Sequence, residues 1–219
     1  MKVNNKSVKN SFSFSRNFVG IFLFFFLFPF SFSDFLQAKE KPSSTKKMLK
    51  IKGFQQWNDF TCGPASILTL LNYYGVKGDG KKIAEEMGTL PTGTHPASIT
   101  AWLNKNGFDA EWRQNTKKDG SRLDLLREYI NQGIPILLEW VDWGGHWVVL
   151  AGYDDKGTKD TRDDEIFFAD PYDIYDGKKN GFTSFNAERF DSMWFDSKSF
   201  DIPMEGLHII AFPKKHKKN

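Results

Sequence analysis

One cysteine in 219 residues, Cys62, limits the architectures open to this chain more than any other feature. A single thiol forms no intramolecular disulfide, so the fold must rest on an apolar core and not on a covalent framework. Material for that core is present: 40% of residues are hydrophobic and 26% are charged, an ordinary globular balance. The neighbourhood of the thiol is equally informative. Cys62-Gly-Pro opens an apolar run that closes on Tyr73-Tyr-Gly75. Pro64 suits a first helical turn and Gly75 a helix stop, which predicts a helix over residues 62–75. Ala65, Leu68, Leu71 and Tyr73 spread round most of it, so the helix is expected to be buried with no wet face.

Three more helices are expected, at residues 80–87, at Pro96–Asn106 ending near Gly107, and at Arg122–Gln132 ending at Gly133. The apolar period then shortens. Ile134–Trp140, His146–Tyr153, Glu165–Asp170 and Gly206–Phe212 read as strands, with the polar run Asp154–Asp164 as a hairpin connection. That connection holds Asp154, Asp155, Asp160, Asp163 and Asp164. The spacing does not match a calcium loop of the EF-hand type and reads as a solvated turn. Helices first and antiparallel strands second make an α+β domain.

The N-terminus has the pattern of a targeting segment. Lys2, Lys6, Lys9 and Arg16, set against Asp34, account for the whole formal charge of +3. The apolar run Phe18–Phe28 follows and Pro29 stops it. That run is shorter than the about 20 residues a membrane-spanning helix needs. Small residues at Ser31–Ser33 and at Ala38 offer cleavage sites, so residues 1–38 are read as a signal peptide, with an uncleaved membrane anchor as the alternative. Residues 39–52 then form a polar linker, residues 53–213 the domain and residues 214–219 a basic tail. On this reading the protein is secreted or periplasmic, with no stable membrane insertion after cleavage. The body of the chain carries no basic excess, which excludes a nucleic-acid footprint within the fold.

A thiol at a helix N-terminus is biased toward thiolate, the reactive form, by the helix dipole and its free N–H groups. Gly63 beside it allows close approach of a substrate backbone. Gln56, six residues earlier, sits on the loop leading into the helix, where its NH2 could serve an oxyanion. Of four histidines, His216 lies in the lysine tail, His95 in a Gly/Thr/Pro loop and His208 within an apolar strand. His146 follows Trp143-Gly-Gly and opens a strongly apolar strand, which puts it at a sheet edge. Asp170 ends the next strand, so an antiparallel pair brings His146 and Asp170 together. Asp170 is then the expected acceptor for His146 Nδ1–H. Trp143 and Trp147, which flank His146, read first as packing residues.

Gln56, Trp57-Asn-Asp-Phe-Thr-Cys62-Gly-Pro-Ala, Tyr73-Tyr-Gly75, Gly133-Ile-Pro, His146-Trp-Val-Val-Leu-Ala-Gly and Asp170-Pro occur in an order that resembles the C39-like peptidases, members of the papain-like clan. The resemblance spans roughly residues 53–172 and implies a Cys-bearing helix packed on an antiparallel sheet that carries His and Asp. It implies a cysteine peptidase working through an acyl-enzyme on a peptide or protein substrate, with no cofactor and no metal. It assigns Cys62 as nucleophile, His146 as general base and then acid, Asp170 as the orienting residue and Gln56 as oxyanion donor. Thr61 stands where members of the family often carry Asp. An acyltransferase, or a peptide-binding module without hydrolysis, are the other functions such a scaffold hosts. The aromatic-rich stretch 173–212 lies outside the resemblance and is expected to complete the sheet and wall the cleft.

Overall fold

The computed structural model describes residues 46–116, 121–173, 181–196 and 203–214. The expected targeting segment, the first part of the expected linker, and residues 215–219 of the basic tail with His216 lie outside them. The four expected helices are present as α1 (Cys62–Tyr73), α2 (Gly80–Glu86), α3 (Pro96–Lys105) and α4 (Arg122–Gln132). Their ends follow from local chemistry. The Asp79 side chain accepts from the N–H groups of Lys81 and Lys82, and Ser121 accepts from Asp124 N–H, each satisfying donors that a helix start leaves open. Gly133 ends α4 at φ 74°, a left-handed conformation that costs glycine no Cβ clash.

Seven antiparallel strands form the main sheet among the described residues. The order is β2 (Phe108–Arg113), β9 (His208–Pro213), β3 (Leu137–Trp140), β4 (His146–Asp154), β5 (Glu165–Ala169) and β6 (Phe182–Asn186). β1 (Lys47–Met48) pairs with β4 on the edge that β3 leaves uncovered. β3 takes His146–Val149 and β1 takes Gly152 and Tyr153. β7 (Phe195–Asp196) and β8 (Met204–Glu205) make a separate two-stranded ribbon. Helix α5 (Ala187–Met193) follows β6 directly. Its Phe190 packs on Trp140, Phe168 and Trp194 with ring centroids 5.3, 4.9 and 5.5 Å away. This aromatic cluster is fully buried, each large ring contributing about 1.5–3 kcal/mol by its removal from water.

Four expectations need correction. Strands and helices interleave, because β2 lies between α3 and α4 and pairs with β9 along its whole length. Phe108, Ala110 and Trp112 alternate along it with the period of a strand. The linker ends earlier than residue 52. Leu49 and Ile51, two apart, are buried in the core, and Leu49 N–H donates to Ala151 O at 2.8 Å. β3 begins at Leu137 and not at Ile134. The Asp-rich connection is not wholly solvated. Asp164 is buried and accepts from Tyr153 OH at 2.6 Å, and buried Asp154 pairs with Lys156 Nζ at 2.8 Å.

The sheet register positions the site. Val149 pairs with Ala169, so the start of β4 and the residue after β5 fall at one edge. Helix α1 packs across β4 there, and Ser66 Oγ donates to Trp147 O at 3.1 Å in a fully buried contact.

Candidate active site

Cys62 is the first residue of α1 and is buried. The helix start is unusually open electrostatically. Thr61, the residue before it, makes no side-chain cap, and the first turn carries no acidic residue. Thr61 Oγ1 instead accepts from the N–H groups of Trp57 and Asn58, which fixes the 57–61 turn. The positive end of the helix dipole is therefore left to the thiol. Burial pushes the Cys62 thiol up, but the hydrogen bond and charge of His146 and backbone hydrogen bonds with Trp147 and Gly63 outweigh it and bring the thiol below its ordinary value. That combination favours thiolate.

His146 is buried at the start of β4, where it interacts electrostatically with Cys62 and is hydrogen-bonded to Asp170. Its Nε2 lies 2.8 Å from Asp170 Oδ1. The ring is thus turned opposite to the expected orientation: Asp170 takes Nε2, and Nδ1 is the nitrogen left for the thiol. Burial pulls the His146 value down, while Asp170 and the Cys62 thiolate raise it above the ordinary histidine range. Asp170 is held by Tyr172 N–H at 2.8 Å and Thr183 Oγ1 at 2.9 Å, and despite burial its carboxyl stays below the usual carboxylate range. With the thiol lowered and the imidazole raised, the preferred state is a thiolate–imidazolium pair.

Gln56 is brought to the same place. Its backbone N–H donates to Pro171 O at 2.9 Å, and it lines a cavity of about 310 Å³ with Asp59, Trp143, Gly145, His146 and Tyr172. Its side-chain NH2 donates to Asn58 O at 2.9 Å, which uses one of its two hydrogens. The neighbouring Gln55 donates from Nε2 to Asp170 O at 3.2 Å, a tie that sequence reasoning missed. Trp147 is buried as expected and donates from Nε1 to Thr94 O at 3.0 Å. Trp143 is 60% exposed, sits at φ 56° and stands edge-on to Tyr172, so it walls the cleft more than it packs the core.

Against Cys62 itself a smaller cavity of about 160 Å³ is lined by Thr92–His95, Glu139, Gly145 and Trp147. Glu139 was not singled out from the sequence, yet it is the one charged residue in the run Ile134–Trp140, and that was the available signal. Of the other described histidines, His95 lines this same cavity and His208 does not. His95 caps α3 by accepting from Ala97 N–H, and buried His208 has Nδ1 2.8 Å from Gly206 O. Among the described residues no group of three or more His, Cys, Asp or Glu side chains is arranged to hold a metal ion.

The arrangement has recognisable relatives. The Peptidase_C39-like family profile matches residues 48–199. Two solved structures share the architecture. One is the peptidase domain of Streptococcus ComA, a bifunctional ABC transporter involved in a quorum-sensing pathway, at 21% identity and TM-score 0.53, covering 74% of this chain and 98% of that one. The other is a double-glycine-motif protease from an AMS/PCAT transporter, solved with the leader peptide, at 19% identity and TM-score 0.54, covering 78% of this chain and 96% of that one. No curated protein sequence matches the chain. At these identities the two structures carry the fold, an antiparallel sheet with a Cys-bearing helix against it. The profile match extends over more than half of the sequence, and on it this chain belongs to the Peptidase_C39-like family.

Proposed function

We propose that this protein is an exported cysteine peptidase that cleaves a peptide or protein substrate through an acyl-enzyme formed on Cys62. The observation that carries the reading is the buried set at the open start of α1: Cys62, His146 acting on it electrostatically, and Asp170 2.8 Å from His146 Nε2. The thiolate attacks the scissile carbonyl carbon and forms the C–S bond as the carbonyl electrons move to oxygen. The N–H of Cys62 and the second hydrogen of the Gln56 amide are the donors near that oxygen. The His146 proton passes to the departing amine as the C–N bond breaks. His146 then takes a proton from water, whose oxygen displaces the thiolate and releases the acid. Asp170 holds the ring and stabilises the imidazolium throughout. A peptide substrate is supported by the AMS/PCAT protease, which was solved with a peptide bound. Export is supported by the basic residues Lys2–Arg16 and the apolar run Phe18–Phe28.

The test is peptide hydrolysis by the purified protein, read by mass spectrometry, alongside iodoacetamide labelling of Cys62. Cleavage that is lost in Cys62→Ala, with Cys62 labelling faster than a free thiol near neutral pH, is the expected result. Equal cleavage by Cys62→Ala, or labelling no faster than a free thiol, would overturn it.

A further inference from the structure

We propose that the small cavity beside Cys62 receives a cationic side chain of the substrate, arginine or lysine, and that Glu139 on its wall selects it. The inference rests on the peptidase reading and adds a specificity to it. Glu139 stands opposite Trp147 in the β3–β4 register, so both side chains leave the same face of the sheet, and both line the cavity with Cys62. Glu139 is 1% exposed. Among the described residues no donor reaches either of its carboxyl oxygens. The group within hydrogen-bond range is the Asp196 carboxyl, itself an acceptor unless one of the two acids holds a proton.

That environment is costly for an empty site. Burial first, then the hydrogen bond and charge of Asp196, then the Cys62 thiolate, push Glu139 up to about 11, and no influence favours its charged form. A carboxyl in that state holds a proton that it can share only with the neighbouring Asp196 carboxyl, and among the described residues no other group donates to its buried oxygens. An ammonium or guanidinium supplies both the charge and the donors. On its entry the acid proton leaves to solvent, and the carboxylate accepts N–H bonds from the cation, so one cation is bound and one proton released. The volume agrees. About 160 Å³ is well below the roughly 300–1,000 Å³ of sites that hold whole small ligands, and suits a single side chain.

The experiment uses peptidyl chloromethyl ketones, which alkylate Cys62 irreversibly with loss of chloride, varied to arginine, its neutral isostere citrulline, or norleucine at each of the two residues nearest the warhead. Rates are divided by the iodoacetamide rate of the same protein, so that thiol reactivity cancels. The arginine probe is expected to react roughly 10–100-fold faster than the citrulline probe, the range for a hydrogen bond to a charged partner. In Glu139→Gln that ratio should collapse toward one. Equal rates for arginine and citrulline at both positions in the unsubstituted protein overturn the inference, and this outcome needs no variant to fold. A ratio that survives in Glu139→Gln also overturns it, since selection then lies elsewhere. Rapid iodoacetamide labelling with equal peptide rates removes the specificity alone. Labelling no faster than a free thiol removes the peptidase reading itself.

Discussion

His146 Nε2 sits 2.8 Å from Asp170 Oδ1, and this contact leaves Nδ1 as the ring nitrogen available to Cys62. A pH prediction follows from the two opposed shifts. The thiol is lowered from 9.0 and the imidazole is raised from 6.5 to about 10, so the ion pair persists between the lowered thiol value and about pH 10. Turnover should rise as the thiolate forms, well below pH 9.0, and fall as the imidazolium loses its proton. Asp170→Asn removes the largest of the influences that raise His146, and burial then lowers it. The alkaline limb should therefore move to lower pH. A profile of kcat/KM against pH for both proteins checks this, and an unmoved alkaline limb would sink the assignment of Asp170.

Substitutions at the other site residues should separate thiol activation from acyl transfer. His146→Ala leaves burial as the dominant influence on Cys62, so the thiol rises and iodoacetamide labelling at neutral pH slows. Gln56→Ala should leave labelling intact and slow acyl transfer by about 10²–10³-fold, the usual loss for one oxyanion donor. Labelling rates and single-turnover cleavage, measured on the same two variants, give the pattern. If Gln56→Ala cleaves at the full rate, the backbone N–H of Cys62 serves the oxyanion without it.

Phe190 tests the aromatic cluster that α5 builds over the sheet. Its ring is 0% exposed and touches Trp140, Phe168 and Trp194. Phe190→Ala should cost about 3–5 kcal/mol, because neighbours on β3, on β5 and just after α5 cannot all collapse into the void. Urea unfolding with an unchanged m-value would read this directly. A loss under about 1 kcal/mol would mean that α5 repacks freely.

The helices and the chemistry-bearing strands were legible because their signals are local. Pro64 and Gly133 mark helix ends by their own conformational preferences. Cys62, His146 and Asp170 stand at element boundaries, and antiparallel pairing alone predicts that the latter two meet. What was not legible depends on partners distant in sequence. β1 has two residues and becomes a strand only because β4 offers Gly152 and Tyr153 as an uncovered edge. The ring orientation of His146 is set by Asp170, 24 residues away just past the end of β5, which Thr183 on β6 holds in place. Glu139 is ordinary in sequence and becomes unusual only when β7 brings Asp196 against it. β2 is different: its alternation was present in Phe108–Trp112, but the helices on either side masked it.

Export has its own measurement. The basic start and short apolar run predict that the mature protein begins near Asp34 or Lys39. N-terminal sequencing of protein recovered from outside the cytoplasm should find one of these. A fully retained Phe18–Phe28 in an integral-membrane fraction would replace the signal peptide by an anchor. The catalytic chemistry would be untouched, since β1 already begins at Lys47.

Gly53 offers a test of how the site is held without touching any reacting atom. A Cβ at Gly53 would lie 2.4 Å from the carbonyl oxygen of Gly181 and 3.1 Å from its Cα, both backbone atoms that no rotamer change can move. Gly181 in turn accepts from Asp170 N–H at 3.0 Å and donates to Asp173 Oδ2 at 2.7 Å. It cannot retreat without pulling on the residue that holds His146. On the other side, Phe54 N–H donates to Thr69 Oγ1 at 3.2 Å, so the 53–56 segment is also fixed to α1. Gly53→Ala should therefore cost about 1–3 kcal/mol of stability, the range for overpacking. It should also lower kcat more than it raises KM, because the displaced group orients the base and does not bind substrate. The discriminating readout is the alkaline limb of the pH profile, which should shift in the same direction as in Asp170→Asn but by less. A destabilised Gly53→Ala protein with the unsubstituted profile would show that the close approach of the two glycines serves the fold alone.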